Sequence, residues 1–432
     1  MKALREILGD RLLTDPDMCA GFAVDWTGRY SGPVLAVARP NTTQEVSDIL
    51  RICDDQHIPV VPQGGNTGLV GGSVPHEPSV VLSTRGLDEV GDIDPITKQV
   101  TVGAGVTLAE LQRIAHDAGC EYGVDLGARE SATIGGTVAT NAGGINVVAY
   151  GMTRRQVVGV EAVLANGDVV SSLRGLAKDN TGYDLPQLFC GSEGTLGVIT
   201  KVRLQLQPAW NDTTTAMLGV ETYADAIALM QRVADTGARI KAAEIFDWFG
   251  VELASRHTAT IPPLMERSAL VLLMEYSGDV VLPDNAVVAV DGRDRKRLWS
   301  LRESLPELIS REGVVHKLDI AVVPALLDVL AKRTHEILQA DSVRSRLLFG
   351  HLLDGNLHVA YVGPEADDTA LQDALLAVVA DLHGTISAEH GVGVQKAHAL
   401  QLSRSSAEIA AMRAIKHALD PHGIMNPGVI FE

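Results

Sequence analysis

Three glycine-rich stretches constrain this chain more than any other feature, because each runs backbone where side chains are nearly absent. The first, Pro62-Gln63-Gly64-Gly65-Asn66-Thr67-Gly68-Leu69-Val70-Gly71-Gly72-Ser73, directly follows the short apolar run 58–61. The second is Ser131-Ala132-Thr133-Ile134-Gly135-Gly136-Thr137-Val138-Ala139-Thr140-Asn141-Ala142-Gly143-Gly144, and the third is Gly191-Ser192-Glu193-Gly194-Thr195-Leu196-Gly197-Val198-Ile199. The first lacks both the GK[ST] ending that brings a lysine to a triphosphate and the GxGxxG spacing of a dinucleotide turn. What it can present is a row of backbone N–H groups that suits a pyrophosphate, although a flexible surface loop would read the same way. Small residues in the other two let backbone lie flush against a large flat ligand, and Ser131, Thr133 and Thr140 bring hydroxyls. Together the three argue for a dinucleotide held in an extended pose.

A chain of 432 residues suits two or three domains. Strands are expected at 34–37, 58–61, 80–82, 100–102, 157–164 and 198–206, and amphipathic helices at 46–54 and 108–118. Pro208 closes this region. Beyond it, helical patterns at 223–235 and 324–338 alternate with apolar strands at 269–276 and 287–290, and a last helix is expected at 407–419. The reading is α+β, with domains at 1–208, 209–388 and 389–432. Acidic residues outnumber basic ones by 54 to 36, a net charge of -18 that repels phosphate backbones and argues against a nucleic-acid partner. No apolar run approaches the roughly 18 residues of a membrane span. The N-terminus lacks a signal-peptide core, so a cytoplasmic address is expected, peripheral to a membrane at most through a partner. Cys19, Cys53, Cys120 and Cys190 match no metal-ligand spacing and read as buried thiols.

The second constellation is Phe349-Gly350-His351-Leu352-Leu353-Asp354-Gly355-Asn356-Leu357-His358-Val359. With Asp354 and Gly355 as a two-residue turn, Leu353 pairs with Asn356, Leu352 with Leu357, and His351 with His358. Directly paired residues share a face with Cβ atoms about 4.5–5.5 Å apart, so the imidazoles can converge on one cation. Ser387-Ala388-Glu389-His390-Gly391-Val392-Gly393 sets a carboxylate beside another histidine. Two His and one carboxylate leave coordination positions open for a substrate. On the residues alone, an unmetallated cross-strand pair is an equal alternative. Arg302 offers a planar fork for a carboxylate and Lys317 a second cation, unless they pair with neighbours such as Glu303 and Asp319.

These segments, with Lys178-Asp179-Asn180-Thr181-Gly182-Tyr183-Asp184-Leu185, resemble the PCMH-type FAD-binding domain of the vanillyl-alcohol-oxidase superfamily. The wording is similar to the branch of D-2-hydroxyglutarate dehydrogenase, D-lactate dehydrogenase and the flavin subunit of glycolate oxidase, from about residue 30 to Phe431. The resemblance implies a two-part FAD-binding domain, an α+β substrate (cap) domain, and a C-terminal tail returning to the flavin. It implies that Gln63 to Leu69 surround the pyrophosphate, and that Pro62, Gly72, Ser73, Leu126 and Gly127 also bind the cofactor. Ser131 to Gly144 would follow the flavin and ribityl chain. Glu193 to Ile199 would lie near the adenosine half, and Asn426 near the ring. No histidine stands in the three loops, so non-covalent FAD is expected.

The same resemblance implies His351, His358 and Glu389 as ligands of a divalent metal: zinc, with manganese or iron also suited to the donors. It implies His390 as the general base at the substrate, and Arg302 and Lys317 as substrate-carboxylate groups. The metal would lower the pKa of the substrate hydroxyl, and a histidine of ordinary pKa near 6.5 could take its proton. The chain departs from the D-2-hydroxyglutarate pattern at Pro306, where those enzymes have Thr, and at Ala360, where they have Asn. Leu353 replaces a frequent Gly. The expected activity is oxidation of a D-2-hydroxy acid with reoxidation by an external acceptor (an electron-transfer flavoprotein, a quinone or a cytochrome). A homodimer is compatible. The alternatives are an oxidase using oxygen and an electron-transfer flavin subunit of a larger complex.

Overall fold

Val34 to Ala38 are apolar without a break, the pattern of a strand covered on both faces. In the computed structural model, which describes residues 1–257, 266–365 and 367–431, they form a parallel pair with the buried run 79–83, and Ala36 to Ala38 are buried while Leu35 is exposed. The chain divides into two units. The first comprises Met1–Gly144, Tyr150–Ala209 and Glu389–Glu432, and the second Ile145–Ala149 and Trp210–Ala388.

In the first unit, β1 (Leu12–Leu13), β2 (Val34–Ala38), β3 (Val60–Gln63) and β4 (Ser79–Ser83) form a sheet in the order β1-β2-β4-β3. The expected helix after β2 runs Thr43–Asp55, with Thr42 accepting from the Glu45 N–H at 3.2 Å as its cap. Val46, Ile49, Leu50 and Cys53, spaced for one helical face, are buried. The next strands are β5 (Gln99–Gly103), β6 (Cys120–Glu121), β7 (Val157–Val163), β8 (Val169–Ser171), β9 (Val198–Gln205) and β10 (Gln207–Pro208). An antiparallel sheet follows the order β5-β9-β7-β8, and β6 pairs with β10. Both four-stranded sheets contribute to one apolar core, which Ile424 and Met425 of the C-terminal segment join.

Because β3 is at a sheet edge, Pro62 withdraws no ladder donor that the sheet needs. The returning tail covers that edge: the Val60 N–H donates to Ile424 O at 2.8 Å and the Asn426 N–H to Val60 O at 2.9 Å. The tail is held by Lys416, whose Nζ donates to Thr195 O at 2.8 Å and Met425 O at 2.7 Å. The four cysteines are buried free thiols, and burial pushes Cys190 up to about 11.

The second unit is one antiparallel sheet of β11 (Thr214–Val220), β12 (Arg239–Asp247), β13 (Leu270–Ser277), β14 (Val287–Ala289), β15 (Val315–Ala321), β16 (Ser345–His351) and β17 (Asn356–Val362). The order is β14-β11-β13-β12-β16-β17-β15. The helix Gly292–Ser310 packs Leu298, Leu301, Leu305 and Leu308 with Phe246, Phe349 and Ala360 of the sheet. No helix of the described residues is long and apolar enough to cross a membrane.

Candidate active site

The three glycine-rich stretches meet within the first unit. A side chain at Gly65 would stand 2.0 Å from Ser131 O, and one at Gly64 would meet Thr133 Oγ1 at 2.2 Å. Glycine is required there for the first stretch to lie on the second. The third joins through Gly191 N–H to Val138 O at 3.0 Å and Glu193 N–H to Ala139 O at 2.8 Å. Side chains inside the first loop brace the loop itself. Gln63 Nε2 donates to Ser73 O at 2.8 Å, and Ser73 Oγ donates to Asn66 Oδ1 at 2.8 Å. Among the described residues, no protein acceptor receives the backbone N–H groups of Asn66, Thr67, Gly68 and Leu69. Four half-buried donors in a row fit an anionic pyrophosphate.

The second stretch becomes the short helix Ile134–Thr140. Thr133 caps it, accepting from the Gly136 N–H at 3.3 Å, and Thr140 Oγ1 donates back to Gly136 O at 3.0 Å. These hydroxyls therefore serve the helix, while Ser131 is exposed. Gly144 forms a parallel bridge with Asp125 beside half-buried Leu126 and exposed Gly127. Gly194 approaches Pro62, and Val198 and Ile199 open buried β9. Asn426 Nδ2 donates to both Gly72 O at 2.9 Å and Glu193 O at 2.6 Å, tying the first and third stretches together. Its Oδ1 is buried with no protein partner.

Glu389 and His390 belong to the first unit and are half-buried. Glu389 Oε2 accepts from the Gly144 N–H at 2.7 Å. The Glu193 carboxylate, expected beside the adenosine half, accepts from the Val392 N–H at 2.8 Å and the Gly393 N–H at 2.7 Å.

In the second unit the hairpin register differs from the expected one by two residues: His351 pairs with Asn356 and Phe349 with His358. A two-residue Asp-Gly turn needs positive φ at both positions, and only Gly355 has it, at +74°. The loop instead spans residues 352–355. Its Leu352 N–H is drawn to Ala243 O on β12 at 2.8 Å, and the Asp354 side chain accepts from the Asn356 N–H at 3.1 Å. Because side chains alternate with period two, a slip of two leaves both histidines on the expected face, diagonal instead of opposite. Their Nε2 atoms stand 3.4 Å apart. Two nitrogens about 2.0–2.1 Å from one tetrahedral cation would be separated by roughly that distance.

The same sheet face carries Glu244, Asp319 and Lys317, as the registers dictate. His351 Nδ1 is 2.6 Å from Glu244 Oε1, and His358 Nδ1 lies 3.5 Å from Asp319 Oδ1, so both rings turn Nδ1 to a carboxylate. Arg302 is buried, pairs with Glu244 Oε2 at 2.7 Å, and lies over the Phe349 ring. Its partner is thus neither Glu303 nor Asp319, and among the described residues its Nε has no hydrogen-bond partner. Burial works to raise the pKa of Glu244, but His351 and Arg302 outweigh it and the net direction is down. Lys317 is pushed down by burial, and its Nζ donates to Pro306 O at 3.4 Å. Lys317 also pairs with Ala360 across the ladder, so both departures from the D-2-hydroxyglutarate pattern adjoin this lysine. Pro306 sits inside its helix and removes the N–H that would donate to the Arg302 carbonyl.

Sequence reasoning missed Glu244. The signal was available: one carboxylate inside the apolar run Ala242-Ala243-Glu244-Ile245-Phe246 is a buried charge needing partners.

Residues 34–172 match the FAD binding domain family, and residues 210–430 match the C-terminal domain of FAD linked oxidases, more than half of the chain. The chain belongs to the FAD-linked oxidase family. It is an FAD-dependent oxidoreductase with the PCMH-type fold. It is similar to the mitochondrial D-2-hydroxyglutarate dehydrogenase of Bos taurus, 38% identical over 99% of this chain and 82% of the relative. The Danio rerio enzyme of that name is 36% identical over 98% and 83%. A structure of p-cresol methylhydroxylase with substrate bound shares the fold, with TM-score 0.72 at 16% identity over 99% of this chain and 95% of that one. The expected cytoplasmic address is corrected by these relatives, which are mitochondrial by name. Charge and the lack of an apolar span constrain solubility and leave the compartment open.

Proposed function

We propose that this FAD-linked oxidoreductase converts a D-2-hydroxy acid to the 2-oxo acid. D-2-hydroxyglutarate, named in the Bos taurus and Danio rerio relatives, is the first substrate to test. The observation that carries the reading is the polar face of the second unit, where Arg302 and Lys317 flank two histidines whose Nε2 atoms converge. Such a set suits a small anion carrying a hydroxyl.

FAD would be held non-covalently, the Asn66–Leu69 amides serving its pyrophosphate, and it would supply the hydride acceptor. A divalent cation on His351, His358 and Glu389 supplies Lewis acidity at the substrate hydroxyl, and zinc, manganese and iron all suit these donors. His390 takes the hydroxyl proton. Arg302 Nε and Lys317 Nζ donate to carboxylate oxygens, and an anion beside Lys317 offsets the burial that lowers its pKa. Electrons leave to an electron-transfer flavoprotein, a quinone or a cytochrome. The domains follow as 1–208 for the cofactor, 209–388 for the substrate and 389–432 for the returning segment. A second reading, a D-2-hydroxy monocarboxylate, is favoured by Pro306 and Ala360, which place no polar side chain beside Lys317.

Dye-coupled turnover across D- and L-2-hydroxy acids, with and without chelator, tests the reading. Turnover confined to D acids and abolished by chelator is expected. Equal rates on L acids would remove the stereochemical assignment, and indifference to chelator would remove the metal. After acid precipitation the yellow chromophore should be in the supernatant, and a yellow pellet would mean a covalent link.

A further inference from the structure

His390 lies between two anchored stretches of backbone in the first unit. On its N-terminal side, Glu389 is held by the Gly144 N–H at 2.7 Å. On its C-terminal side, both oxygens of Glu193 accept backbone N–H groups, Val392 at 2.8 Å and Gly393 at 2.7 Å. Glu193 itself is held tightly. It is buried at 9% exposure, and its φ of +50° is unusual for a residue with a side chain. Its own N–H donates to Ala139 O at 2.8 Å, and its carbonyl accepts from Asn426 at 2.6 Å. The turn is shaped around it: a Cβ at Gly391 would stand 2.9 Å from the Glu193 carboxyl carbon. Gly393 O accepts from the Ile430 N–H at 3.0 Å, and Val394 N–H donates to Val70 O at 3.0 Å, so the turn cannot drift as a body.

A buried carboxylate in a strained backbone conformation is expensive unless it holds something whose position matters. Glu193 holds the two residues that end the His390 turn. We propose that Glu193 is a positioning residue, which fixes the 391–393 backbone through its two carboxylate oxygens and so aims the His390 imidazole. The proposal rests on the reading of His390 as the proton acceptor.

The test is Glu193→Gln in the full-length, FAD-loaded protein, whose amide side chain can accept only one of the two N–H groups. Flavin reduction by substrate should slow by about tenfold to a hundredfold, the scale of an ångström-sized misplacement, with FAD stoichiometry retained. In a His390→Ala background the same change should slow reduction less than about threefold, because there is no longer a base to aim. Penalties that multiply in the double variant would overturn the proposal. Hydrogen exchange gives a readout apart from turnover: the Val392 and Gly393 amides should lose protection in Glu193→Gln, and parental protection would equally overturn it. If His390→Ala reduces flavin at the parental rate, the base reading fails, and amide exchange alone decides whether Glu193 fixes the turn. Should the Gln variant not load FAD, Glu193→Asp takes its place, with the charge kept and the carboxylate withdrawn by one methylene.

Discussion

Two buried glutamates, one in each unit, are stabilised by opposite means. Glu193 is met chiefly by backbone N–H groups, with Lys396 the weakest of its partners, and burial moves its pKa up. Glu244 is met by an arginine and a histidine, and despite deeper burial its pKa moves down. Each lies against a histidine-bearing segment that the proposed chemistry uses. A carboxylate on backbone amides sets where a chain runs. A carboxylate between an imidazole and a guanidinium sets which nitrogen of the imidazole carries the proton, and where the guanidinium points. The first unit thus builds its site from main chain, and the second from side-chain charge.

The largest effect that would sharpen this contrast is expected at His390. His390→Ala should slow flavin reduction by about two to four orders of magnitude in stopped flow. FAD and metal content should remain parental, since the backbone network and the proposed ligands are untouched. Near-parental reduction in a metal-replete variant would leave a metal-bound hydroxide as the better base.

Glu244→Ala should lower unfolding stability by about 3–5 kcal/mol in urea titration, because Arg302 is left buried without its counter-charge and His351 Nδ1 without its acceptor. Glu193→Gln, which keeps an acceptor for one of the two backbone N–H groups, should lose only about 1–3 kcal/mol. Equal losses would break the distinction between the two carboxylates.

Glu389→Ala should give a folded, yellow protein depleted of metal by elemental analysis, because one proposed ligand is gone while the FAD loops remain. Parental metal content would remove Glu389 from the set.

The last expected effect depends on pH and concerns a third buried carboxylate, Asp247 at the end of β12. Burial pushes it up to about 7, against hydrogen bonds from the Leu348 and Gly250 N–H groups. Its folded pKa exceeds the unfolded one, so the folded state binds the extra proton. The stability this provides is full below about pH 4 and is lost as pH rises through about 7. Chemical denaturation should show a fall on the order of 1–4 kcal/mol across that window, and Asp247→Asn should flatten it. An unchanged slope in the variant would place the titrating group elsewhere.

The sequence by itself determined the elements whose signals are local. The cap and apolar periodicity after residue 41 and the strand that begins at Val34 report on neighbours a few residues away, whereas Pro62, expected to close a strand, lies inside β3. It also put His351 and His358 on one strand face, since a period of two survives a two-residue slip. What only the tertiary structure decided was where polar groups find partners. Asp354-Gly355 reads as a two-residue turn until β12 claims the Leu352 N–H. Arg302 reads as a free fork until Glu244, 58 positions earlier in the chain, arrives beneath it. Glu193 reads as part of a cofactor loop until residues 392 and 393 come to its oxygens. A hydrogen bond or ion pair between distant residues leaves no periodicity in either segment, because only the folded backbone sets the distance that makes it.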